Sequence, residues 1–256
     1  MGVVEMNIWQ FALIYLLLIV VLVIMKKAKI DQTKLLLLAS FRMTVQLVLA
    51  GLVLTYILGN PHPLFTVAYI VAMTSFATIR VLRKNRDLNR KFKIAIGLSL
   101  AGAGTLIVFF FVQIVVGMDF FNPQYTIPLS GMIFGNAMTG LTLALKTFSE
   151  NLKAQRARVE SLLYVGVTPK KILIPFVNNA LETALLPTMN SMLGMGIISL
   201  PGMMTGQILS GTLPMTAILY QIAIMIAITT VVCLAVFSAL YFGYQTLYND
   251  RNQITL

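Results

Sequence analysis

Two uncharged apolar runs, 64–79 and 94–116, flank a short segment, 80–93, that holds seven lysines and arginines. A helix needs about 20 mostly apolar residues to cross hydrocarbon roughly 30 Å thick. Loops rich in Lys and Arg stay on the cytoplasmic side of a membrane. The segment therefore predicts an integral membrane protein with 80–93 inside, and the remaining topology counts outward from it.

Seven apolar runs occur, at 8–25, 35–58, 64–79, 94–116, 126–145, 172–199 and 215–247. Lys26, Lys27, Lys29 and Lys34 follow the first, the basic cluster follows the third, and Lys146, Lys153, Arg156, Arg158, Lys170 and Lys171 follow the fifth. The intervening loops 59–63, 117–125 and 200–214 carry no Lys or Arg and contain turn-formers such as Gly59-Asn60-Pro61 and Asn122-Pro123. The pattern predicts an all-α membrane protein of about seven transmembrane helices. Its N-terminus is expected outside and its C-terminus in the cytoplasm, with a cytoplasmic helical arm before the sixth span. No extramembrane segment is long enough for a second domain, so residues 1–256 are expected to form one transmembrane unit. The third helix should continue through Arg80. In the sixth run Pro187, Gly194, Gly196, Pro201 and Gly202 leave two courses open. One is an ordinary span ending near Ser199, followed by a short outer helix or loop. The other is a re-entrant segment whose freed backbone groups are satisfied by protein or water.

Composition agrees: hydrophobic residues make up 58%, charged residues 11%, and mean hydropathy is +0.88, outside the range of soluble chains. The net charge of +11 resides in short loops between spans, which reads as topology rather than nucleic-acid binding. Cys233 is the single cysteine, which excludes a disulfide within the chain and argues against a thiolate metal site. The first run has no basic segment before it and no small-residue cleavage site after it, so it reads as a retained span. No sustained internal repeat supports an inverted-repeat transporter. There is no phosphate-binding Gly-x4-Gly-Lys-Ser/Thr loop and no His-Glu-x-x-His. The lone histidine, His62, sits between Pro61 and Pro63 in a short outer loop and reads as solvated.

The connection 146–171 is more than a loop. Leu145, Phe148, Leu152, Val159, Leu162 and Leu163 recur at roughly helical spacing among charged residues. No helix breaker falls between Gly140 and Gly166. The fifth helix is thus expected to run on about 20 residues past Leu145, projecting roughly 30 Å, and to stop at Gly166 ahead of Pro169. Its bland use is an amphipathic helix lying on lipid headgroups; its functional use is docking a cytoplasmic partner.

Residue order bears on that choice. Glu160-Ser161-Leu162-Leu163-Tyr164-Val165-Gly166, followed by Val167-Thr168-Pro169 and Ile172-Leu173-Ile174-Pro175, looks like the coupling-helix signature of ABC-transporter permeases. That signature is a Glu-Ala-Ala start, a Gly six residues after the Glu, and a later Ile-x-Leu-Pro. Ser161 and Leu162 stand where alanines are usual, and Ile172 to Pro175 arrives early. Further along, Ala184-Leu185-Leu186-Pro187-Thr188-Met189-Asn190-Ser191-Met192, Leu200-Pro201-Gly202-Met203-Met204-Thr205-Gly206-Gln207 and Tyr220-Gln221 resemble the FetB-type permease family. Phe41-Arg42-Met43-Thr44-Val45-Gln46-Leu47 and Gly131-Met132-Ile133-Phe134-Gly135-Asn136 match other segments of that family. The resemblance covers nearly the whole chain. It implies a plasma-membrane permease of bacterial type that pairs with a separate cytoplasmic ABC ATPase. ATP and Mg would be bound by that partner and no cofactor by this chain. Iron would be the leading cargo, and a homodimer the working form. The ATPase-coupling residues it implies are Glu160, Ser161, Leu162, Tyr164, Gly166, Thr168 and Pro169.

Two ionisable side chains fall inside apolar runs. Arg42 is expected about 10 Å, and Glu182 about 15 Å, from the cytoplasmic side. Such groups face a bundle interior, a cavity or each other, so Arg42 and Glu182 are expected to pair directly or through water. Gln46, Asn190 and Gln207 add polar groups to a candidate pathway. Gly131 with Gly135 and Gly202 with Gly206 are small-xxx-small pairs suited to close helix packing. Met189, Met192, Met203 and Met204 add thioethers, which suit soft ions better than hard ones and also fill irregular gaps. Two other classes stay open: an ion-coupled secondary transporter, for which Glu182 is the one candidate acid, and a membrane anchor without transport activity.

Overall fold

The computed structural model describes residues 7–85, 87–249 and 253; Arg86 of the basic segment lies outside them. The helices are α1 (Ile8–Lys27), α2 (Thr33–Gly59), α3 (Pro63–Lys84), α4 (Arg90–Phe109), α5 (Pro123–Ala154), α6 (Arg156–Tyr164), α7 (Pro169–Gly194), α8 (Gly202–Leu209) and α9 (Pro214–Tyr244). A π-helical segment, Phe110–Val116, continues α4. Seven helices are long and apolar enough to cross a membrane, and each covers one of the seven apolar runs. The protein is an all-α, multi-pass membrane protein.

Local chemistry sets the helix ends. Proline stands at the start of α3, α5, α7 and α9, where its missing N–H costs nothing and its fixed φ suits the first turn. Asn122 and Asn89 accept hydrogen bonds from Gln124 N and Phe92 N at 3.0 and 2.7 Å, each capping a helix. His62 does the same at α3 through Nδ1 and Leu64 N, 3.2 Å, so the solvated loop histidine is also an N-cap. Three helices end in one closing motif. After α6, Gly166 at φ +84° donates to Leu163 O while Val167 donates to Leu162 O, both at 3.0 Å. Gly211 closes α8 the same way. Lys29 closes α1 with φ +53°, a left-handed conformation that strains a residue carrying a Cβ.

α3, α4, α5, α7 and α9 form the bundle, with α5 touching the other four and α4 packing most extensively on α9. Two close approaches hold it together. A Cβ on Gly243 would run into the Phe92 ring, and one on Gly104 into the Phe134 ring; both rings are buried. α1 and α2 stand beside this bundle. They pack on each other, joined by a Tyr15–Thr44 hydroxyl hydrogen bond, and only α2 touches α5.

The structure bears on two expectations about the connections. α3 extends past Arg80 to Lys84. α7 passes through Pro175 and Pro187 and ends at Gly194, short of Ser199. A loop turned by Gly196 at φ +80° leads to the short α8, which packs on α9. α7 itself is unbroken at Pro187.

Candidate coupling arm and polar faces

The arm is interrupted, not one continuous helix. α5 ends at Ala154, Gln155 adopts φ −104° and ψ 23°, and α6 restarts at Arg156. The expected unbroken projection of about 30 Å is therefore corrected. α6 runs beside the first turns of antiparallel α7, where Val159 is buried and both leucines pack on the core. Arg158 holds the corner by donating to Gln155 Oε1 at 3.1 Å.

The coupling residues implied by the resemblance fall on α6 and in the turn that leads into α7. Glu160 pairs with Arg156, Nε to Oε1 at 2.8 Å, one turn apart on the exposed side of α6. Ser161 donates to Ala157 O, and Leu162 is the half-buried anchor. Tyr164, the last residue of α6, and Val165 are 90% and 82% exposed, so an apolar tip protrudes where Gly166 ends the helix. Thr168 precedes α7 with extended backbone, and Pro169 opens that helix, buried. A polar cleft of about 550 Å³ lies between the end of α5, α6 and α7, lined by Asn151, Arg158, Lys171 and Asn179 among others.

The expected pathway residues divide between two regions. Arg42 on α2 is exposed and sits 5.7 Å over the Phe76 ring of α3. Gln46, one turn on, is also exposed. Glu182 on α7 is exposed, and no direct ion pair joins it to Arg42. Its level in the bundle follows from its neighbours. Asn179, one turn before it, accepts from Asn151 at 2.8 Å. Phe148, one turn before Asn151 on antiparallel α5, packs edge-on against Phe92 in the first turn of α4. Glu182 therefore lies level with the turn carrying Arg90, Lys91 and Lys93. The ends of α5 and α7 extend beyond that level, so residues counted as membrane-spanning lie past the basic end of the bundle.

The methionine-rich end is built from α7, α8 and α9. Met204 is buried, Met203 is half-buried, and Met189, Met192 and Asn190 are exposed. Thr229 donates to Met192 Sδ at 3.3 Å. The Oε1 atoms of Gln207 and Gln221 are buried with no hydrogen-bond partner. Buried polar atoms are rarely left so, and Gln221 is not among the pathway residues expected from sequence. Its one sequence signal is its place in the Tyr220-Gln221 pair. No group of three or more His, Cys, Asp or Glu side chains suited to a metal occurs among the described residues.

Residues 8–248 match the family described as "Uncharacterised protein family (UPF0014)". The chain belongs to this family. It is 29% identical over 247 residues to "Probable iron export permease protein FetB" of Escherichia coli (strain K12), covering 96% of this chain and 94% of that one. It is 32% identical to "UPF0014 membrane protein slr1647" of Synechocystis sp., covering 84% of each. It is 35% identical over 184 residues to "Protein ALUMINUM SENSITIVE 3" of Arabidopsis thaliana, covering 72% of this chain and 66% of that one. No solved structure matches the chain.

In this UPF0014 member, then, the residues with chemistry to offer lie in three places. An apolar tip protrudes at α6, charged and amide side chains sit on exposed faces of α2 and α7, and soft sulfurs with unpartnered amide oxygens gather near α8.

Proposed function

We propose that this chain is the permease subunit of an ATP-driven exporter in a bacterial plasma membrane. It works as a homodimer with two copies of a separate cytoplasmic ATPase, which binds ATP and magnesium. Iron, free or chelated, is the cargo. The observation that carries this reading is the exposed Tyr164-Val165 tip on a helix locked by Gly166 and anchored by Val159. Aromatic side chains held out on rigid supports are the residues that anchor protein partners. A displacement of that tip passes into α5 and α7, because α6 packs on both. The kinship with the Escherichia coli protein supports the cargo and the direction. Methionine thioethers at the α8 end suit a chelated ion, whose surface is soft and apolar, better than a bare hard cation.

The test is reconstitution in liposomes with and without the ATPase. Iron-stimulated hydrolysis and ATP-dependent iron movement are expected together. Tyr164→Ala should lower coupled transport at least tenfold while leaving the chain folded. Iron movement driven by an ion gradient with no ATPase present would overturn the proposal.

A further inference from the structure

α5 is covered by α3, α4, α7 and α9 except along one strip, which carries Pro128, Asn136, Thr139 and Lys146, all exposed. Gly135 lies on the same strip, and a Cβ built there would meet nothing within 4 Å. Asn136 and Thr139 donate only to carbonyls of their own helix, Met132 O at 2.8 Å and Gly135 O at 2.9 Å. Polar side chains on an exposed face of a spanning helix are disfavoured against hydrocarbon and mark a face covered by protein or water.

The flanks of this strip carry opposite charges. Gly131 faces Met73 of α3, and Asn151 bonds to α7. By helical spacing these two residues stand on opposite sides of the strip. α2 belongs to the α3 flank, since Arg42 stacks over Phe76. Glu182 belongs to the other flank, on α7. Both lie toward the basic end, Arg42 one turn of α3 away from Arg80 and Glu182 level with the start of α4. Neither has an ion-pair partner among the described residues. A cation on one flank and an anion on the other make the surface complementary to itself. In a two-fold interface residue i meets j and j meets i; rotation about an axis along the strip brings the α2 flank of one copy against the α7 flank of the next.

We propose that a second copy of this chain packs on the α5 strip about such an axis, with Arg42 of each copy paired to Glu182 of the partner subunit. Asn136 and Thr139 then face a polar space enclosed between the copies and sealed at its basic end by two symmetric ion pairs. This inference rests on the homodimer named under the proposed function and assigns its interface.

The test uses the full chain in membranes with Cys233→Ala and cysteines at positions 42 and 182. A short bismaleimide should yield covalent dimers from the doubly substituted chain and at most one-tenth as many from either single substitution. Native mass spectrometry of the chain with Arg42 and Glu182 in place reports the oligomer independently. Dimers that do not cross-link, or a link formed within one chain, overturn the interface and leave the homodimer standing. Monomers alone overturn both. Charge exchange gives a second measurement: Arg42→Glu or Glu182→Arg alone should lower the dimer fraction about tenfold, and the two together should restore it. Singles without effect overturn the ion pair.

Discussion

The N-terminal helix pair and the five-helix bundle are made of similar residues and behave differently. None of the apolar window of α1 or α2 is buried within the chain, whereas half of that of α5 and α9 is. Hydropathy does not track this difference, since α1 is far more apolar than α5. In lipid, exposing leucine costs nothing, so burial is driven by close packing and interhelical contacts rather than by removal from water. The bundle has the devices that packing needs. Gly104 and Gly243 admit aromatic rings against the backbone, and Ser130 donates to Met73 Sδ between α5 and α3. The pair α1–α2 has one interhelical hydroxyl contact and an apolar cleft of about 570 Å³. A Cβ on Gly51 of α2 would meet nothing within 4 Å.

That contrast can be broken at several points. The largest effect belongs to Phe92, fully buried against Gly243 and Phe148. Phe92→Ala should cost about 3–5 kcal/mol, as buried aromatic truncations do, whereas Phe41→Ala on exposed α2 should leave the detergent melting temperature within error. A comparable loss at Phe41 would mean that α2 is packed in the isolated chain. Next come two glycine substitutions. Gly104→Ala should destabilise by about 1–3 kcal/mol through overpacking on Phe134. Gly51→Ala should gain about 0.5–1 kcal/mol by helix propensity. Equal responses in a thermal or denaturant melt would erase the distinction between the regions. A chain lacking residues 1–31 should keep the bundle, read as a melting transition close to that of the full chain; loss of the cooperative transition would show that α1 supports it. The smallest effect is at Lys29, where glycine should relieve about 1 kcal/mol of left-handed strain, seen as slower proteolysis at the α1–α2 connection.

How far each site followed from residues alone varies with the physics. The Gly166 stop and the Pro169 start were readable because left-handed glycine and N-terminal proline act within a few residues. The break at Gln155 was not. Neither glycine nor proline marks it. Pro187, one of the residues that left two courses open, does not end its helix: its ring removes one backbone hydrogen bond, and α7 continues through it to Gly194. Counting from the start of an apolar run takes no account of how helices are staggered, and α7 begins beyond the basic end of the bundle.

Sequence by itself determined the number of spans and most of the caps that bound them. In hydrocarbon each segment must satisfy its own backbone hydrogen bonds, so length, charge and local caps suffice to write out the helices. Only the tertiary structure decided which helices share a core, which polar faces stay open and how α6 lies against α7. Those choices turn on shape and pairing between residues far apart in the chain, and lipid accepts an apolar side chain on either face.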